Sequence, residues 1–112
     1  MGKGEMVKLN GIKSIFFGEK EIFLTYKDVK IRILENVYGD IVIYLFSMKE
    51  VGKLAKLFDE FNMPYQKIGY MIRIVREPYE FGVESFEELA EKLKSKRFLL
   101  QFLNEIFPPN FP

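Results

Sequence analysis

Val29-Lys30-Ile31-Arg32-Ile33, followed beyond a Gly39-Asp40 turn by Ile41-Val42-Ile43-Tyr44-Leu45-Phe46, is the stretch that decides the fold class. The first run alternates aliphatic with charged side chains. A period of two puts alternate residues on opposite faces of a strand, so one face is apolar and the other wet. The second run has no charged residue, as expected of a strand inside a sheet and covered on both faces. Two strands joined by a short turn predict an antiparallel pair.

Upstream, Ile12–Phe17 and Glu21–Tyr26 read as two more strands, separated by Gly18-Glu19-Lys20. Lys27-Asp28 is short enough for a tight hairpin, although it lacks the glycine such turns favour. A short extended piece at Met6–Leu9 leads in. Residues 12–46 thus form a four-strand meander. Downstream, Ser47-Met48-Lys49-Glu50 has the spacing of a capping box, and Val51, Leu54, Ala55, Phe58 and Phe61 recur at helical spacing. A helix over 48–61 follows, closed by Met63-Pro64. Lys67–Arg76 returns to alternation as a fifth strand. The roughly nineteen residues before it are enough for a right-handed crossover, which leaves the direction of this strand open.

Ser85-Phe86-Glu87-Glu88 is a second capping box, with Phe86, Leu89, Ala90 and Leu93 turned inward. Phe98, Leu99, Phe102, Leu103 and Ile106 continue a helical stripe, in one bent helix or in a new one begun at Ser95; Pro108-Pro109 stops it. The expected class is α+β, with a mainly antiparallel sheet and a C-terminal helical segment. At 112 residues, with no linker or repeat, residues 1–112 are expected to form one domain.

Composition removes whole classes of chemistry. With no cysteine and no histidine, disulfides, thiolate and imidazole catalysis and Cys/His zinc sites are excluded. The four serines stand in neither a Gly-x-Ser-x-Gly nor a Ser-x-x-Lys pattern, and no glycine-rich phosphate loop is present. No cofactor and no metal are expected. Carboxylates at Glu77 and Glu80, and at Glu84, Glu87, Glu88 and Glu91, are the remaining metal-ligand types, but acidic residues at a helix start also serve the helix dipole. The longest apolar run is too short to cross a bilayer and the first six residues carry no apolar signal core, so the expected compartment is cytoplasmic, with no membrane partner. Thirteen lysines and thirteen glutamates beside a single threonine point to a hyperthermophile source.

Two surfaces remain as binding candidates. Lys30, Arg32, Lys67 and Arg73 are expected together on the sheet face away from the first helix, with Tyr38, Tyr65 or Tyr79 adding stacking surface. Such a face binds single-stranded nucleic acid, against which stands a net charge of only +1. Leu100 and Phe107 lie off the main C-terminal stripe and are the expected interface residues of a homodimer. The leading expectation is therefore a non-enzymatic interaction module that self-associates. The alternative is a nucleic-acid-binding module, and the third a carboxylate–metal enzyme.

Overall fold

The computed structural model describes residues 6–9, 12–49, 51–109 and 111. Among these residues seven strands form one antiparallel sheet in the order β1-β2-β3-β4-β5-β7-β6. They are β1 (Met6–Leu9), β2 (Ile12–Phe17), β3 (Glu21–Tyr26), β4 (Val29–Glu35), β5 (Ile41–Phe46), β6 (Gln66–Ile68) and β7 (Met71–Arg76). Three helices follow or interrupt them: α1 (Val51–Glu60), α2 (Phe86–Lys92) and α3 (Lys96–Ile106), with a 3-10 turn at Pro78–Phe81. The α+β class and the meander are as expected from the alternation in β4.

The meander turns are each made by a local device. Lys27 takes the left-handed φ of +54° that a glycine would adopt more cheaply. Between β4 and β5 the Asn36 side-chain oxygen accepts from the Tyr38 and Asp40 N–H groups at 2.9 and 3.0 Å, and Gly39 supplies φ +85°. An asparagine at the start of a turn acts in this way because its side chain mimics a backbone carbonyl.

Two expectations are corrected here, and the direction left open for the fifth strand is settled. The segment Lys67–Arg76 is two strands, since Gly69, at φ +59°, folds it into a β6–β7 hairpin. The longer strand, β7, pairs with β5 antiparallel. Chain reversal inside the hairpin undoes the parallel crossover that the connection length allowed. The first helix begins at Val51 and ends at Glu60, where Asn62 at φ +55° terminates it and Phe61 remains exposed. Ser47 is buried at the end of β5, and its N–H donates to the Tyr70 carbonyl at 3.1 Å. Glu50, the other half of the first capping box, lies outside the described residues.

The C-terminal stripe divides at Ser95. Ser85 caps α2 by accepting from the Glu88 N–H at 3.1 Å, while the Glu88 carboxylate reaches back to the Glu84 N–H at 2.8 Å. Ser95 caps α3 by accepting from Phe98 N–H at 3.4 Å. All three helices pack on one face of the sheet. Their inward residues, among them Leu54, Phe58, Leu89, Leu99, Phe102 and Ile106, join Ile15, Ile22, Ile31, Ile33, Ile43, Leu45, Ile72 and Ile74 in one buried cluster. Phe102 is fully enclosed and meets Phe81 at 4.9 Å between ring centres. β5 lies inside the sheet, between β4 and β7, as its unbroken apolar run implies. Its second face, however, carries no helix. Val42 is the one buried hydrophobic residue outside the cluster among the described residues.

Candidate functional site

The register of the ladders places every side chain of the helix-free face. Residues directly opposite one another across a ladder share a face. Phe16 is opposite Phe23, Phe23 opposite Arg32, Arg32 opposite Tyr44, Tyr44 opposite Arg73, and Arg73 opposite Gln66. The centre of the open face is therefore a continuous row, Phe16-Phe23-Arg32-Tyr44-Arg73-Gln66, crossing six strands. With about 4.8 Å between neighbouring strands the row is about 24 Å long. A second row beside it holds Thr25, Lys30, Phe46, Met71 and Ile68.

The aromatic rings on this face are neither buried nor isolated. Phe16 is 37% and Phe23 43% exposed, against values near zero for the aliphatic residues of the opposite face. Tyr44 and Phe46 are half-buried. The Arg32 guanidinium lies 5.8 Å from the centre of the Phe23 ring, within reach of a cation–π contact. It also donates to Glu21, from Nη2 to the two carboxylate oxygens at 3.0 and 3.1 Å and from Nε at 3.3 Å. Arg73 donates from Nη1 to Gln66 Oε1 at 2.9 Å. Phe23, Lys30, Arg32, Tyr44, Phe46 and Met71 surround a shallow depression of about 430 Å³. Among the described side chains of the face, Lys30, Arg32 and Arg73 are cationic and Glu21 alone is anionic.

Of the four basic residues expected on this face, Lys30, Arg32 and Arg73 are brought together and Lys67 is not. Lys67 stands opposite Ile72, a core residue, and so points to the helix-covered side at the sheet edge, where its ammonium donates to the Gly69 carbonyl at 3.3 Å. Counting by twos along 67–73 put Lys67 with Arg73. The hairpin at Gly69 and Tyr70 shifts that parity.

The tyrosines expected to add stacking surface are elsewhere. Tyr38 and Tyr79 are exposed, in the β4–β5 connection and the 3-10 turn. Tyr65 packs on Phe58 at 5.1 Å and donates to Asp59 at 2.8 Å. That hydrogen bond, then burial, then the Asp59 charge hold its phenol above the usual tyrosine range. The rings that do line the face, Phe16, Phe23, Tyr44 and Phe46, come from β2, β3 and β5, and of these strands β5 alone was expected to be covered on both faces. The signal was present in the clean alternation of β4, which fixes the wet face and, through hairpin register, the partners of Lys30 and Arg32.

Leu100 is on the outside of α3, 38% exposed. Phe107 is in the core of its own chain, against Tyr26 at 5.5 Å and stacked on Phe111 at 4.8 Å. The helical stripe put Phe107 outside. It is instead the residue at which α3 ends, and its extended backbone (φ −96°, ψ 141°) swings the ring inward. Three of these acidic groups are engaged locally: Glu80 accepts from the Glu77 N–H at 2.9 Å, and Glu88 and Glu91 lie 3.7 and 3.2 Å from Lys92 and Lys94. Among the described residues no three acidic side chains gather as a metal site would require. No helix among them is long and apolar enough to cross a membrane.

This is a mixed α+β protein whose antiparallel sheet has one sealed face and one open, aromatic and basic face. Within known proteins, it is 33% identical over 87 residues to the uncharacterized protein ORF111 of Acidianus two-tailed virus, a match covering 74% of this chain and 78% of that one. The chain belongs to the same family as that viral protein. No family model and no solved structure matches it.

Proposed function

We propose that this protein is a non-enzymatic binding module that holds single-stranded nucleic acid across the open face of its sheet. The observation that carries the reading is the central row, in which flat rings and guanidinium groups alternate across neighbouring strands. Bases stack on aromatic rings without regard to sequence, and arginines meet the phosphates between them. A row of about 24 Å suits a short site, about four nucleotides at the lower end of what such platforms occupy. The near-neutral net charge is no obstacle, because Lys30, Arg32 and Arg73 are concentrated on one face with a single carboxylate among its described side chains.

Charge also separates this reading from self-association through the same face. Pairing two copies face to face would set each copy's cations against those of the other, and like charges across an interface cost affinity. A polyanion reverses the sign of that term. Lysine- and glutamate-rich composition and a relative from an Acidianus virus together favour a high-temperature source for the module.

The test is titration of fluorescent single-stranded RNA and DNA oligonucleotides with the protein at several salt concentrations. Binding that weakens with salt, and loses about 0.7 of slope per arginine in Arg32→Ala and Arg73→Ala, is the expected result. Absence of binding at low salt, or a wild type that light scattering finds dimeric and that Phe23→Lys converts to a monomer, would replace the reading with self-association.

A further inference from the structure

Resting on that reading, we infer that Glu21 is a built-in stand-in for a nucleic-acid phosphate, held on Arg32 until a phosphate displaces it. Arg32 is at the middle of the row, and among the described side chains it is the one cation of the face already engaged by a carboxylate. The pairing is fork-like: Nη2 reaches both oxygens of Glu21, at 3.0 and 3.1 Å, while Nε reaches one of them at 3.3 Å. Arginine takes phosphate oxygens with the same planar, bidentate geometry that it offers a carboxylate. A phosphate docking on those nitrogens must therefore move Glu21 aside.

The ion pair is suited to being exchanged. Its two side chains are 51% and 26% exposed, so water and salt screen the attraction. Glu21 is at the first residue of β3, beside the Gly18-Glu19-Lys20 turn, and can swing towards solvent once released. While it stays, it fixes the guanidinium beside the Phe23 ring, 5.8 Å from its centre, where a base stacked on Phe23 would bring its phosphate. Glu21 thus positions Arg32 and also competes for it. A weak or isolated anion gains little at Arg32, whereas a strand that also stacks on Phe23 and Tyr44 and meets Arg73 carries enough further contacts to displace the carboxylate. The site discriminates in favour of strands over single phosphates.

Glu21→Gln removes the competing charge and keeps the shape. It is expected to tighten oligonucleotide binding by up to about fivefold, the upper range for releasing an exposed ion pair. Its salt slope should stay as in wild type, because Arg32 meets the same phosphate in both. Glu19→Gln makes the same charge change in the adjacent turn and controls for long-range attraction; it should alter affinity less than twofold, with the slope unchanged. In an Arg32→Ala background, Glu21→Gln should bring no gain, since the two residues act as one unit. If wild type binds and Glu21→Gln is no better than Glu19→Gln, or the gain persists without Arg32, the stand-in is overturned while the binding face stands. If wild type does not bind at low salt, the nucleic-acid reading itself falls, and this inference with it.

Discussion

The two faces of the sheet are built from different kinds of apolar residue. The sealed face is almost wholly aliphatic, with Ile15, Ile22, Ile31, Ile33, Ile43, Ile72 and Ile74 all at 1% exposure or less. The open face carries Phe16, Phe23, Tyr44 and Phe46 among arginines and a lysine. β-Branched side chains lose little freedom in a strand and interdigitate with helices, so they suit permanent burial. Rings offer a flat π surface that remains useful when half exposed and that attracts cations and other rings. The difference separates surface kept for stability from surface left for a partner, although both look hydrophobic in the sequence.

If that division is right, substitutions on the two faces should break different properties. The largest effect is expected from Phe102→Ala, which empties an enclosed position against Phe81 beneath the sealed face. It should cost about 3–5 kcal/mol in chemical denaturation. Phe23→Ala on the open face should barely move the unfolding midpoint. It should instead weaken oligonucleotide binding by about 1–3 kcal/mol, the usual contribution of one stacked base. A Phe23→Ala protein that loses stability like Phe102→Ala would erase the comparison.

Smaller effects test the frame around the faces. Ser85→Ala frees an N–H at the start of α2 and should lower stability by about 0.5–2 kcal/mol, read from the same denaturation curves, with oligonucleotide affinity unchanged. Tyr65→Phe should cost no more than about 1 kcal/mol, the ordinary worth of its hydrogen bond to Asp59. That difference has a pH signature. Because the Tyr65 phenol is held above its ordinary value, its contribution is complete at neutral pH and is lost as pH rises through the raised value. Stability curves of wild type and Tyr65→Phe should therefore converge in strong alkali and stay parallel below it.

Legibility in the sequence followed the sharpness of local patterns. β4 alternates cleanly from Val29 to Ile33, so its period, its wet face and its place in an antiparallel meander could be read directly. α2 declared itself through Ser85 and Glu88. Lys67 was misplaced because one glycine in an alternating run can be either a strand residue or a turn, and the choice inverts every side chain before it. Phe107 was misplaced because helical spacing loses its meaning one residue past the last turn. The aromatic row was hidden for a different reason. Its members are far apart in sequence, and only hairpin register, a property of pairs of strands, aligns them.

The strand order has a consequence for how the chain acquires its shape. From β1 to β5 each strand is hydrogen-bonded to the one before it, and β7 then joins β5 after a single helix. Such a sheet can grow by successive local additions, with little loop to close at each step. The lid comes late. α2 and α3 follow every strand in the chain, and Phe107 near the end must return to Tyr26 in the first half. Until it does, the isoleucine side of the growing sheet stays wet, and this nascent form is the one most exposed to aggregation. A chain cut short before α2 should then associate through the side that the finished protein hides.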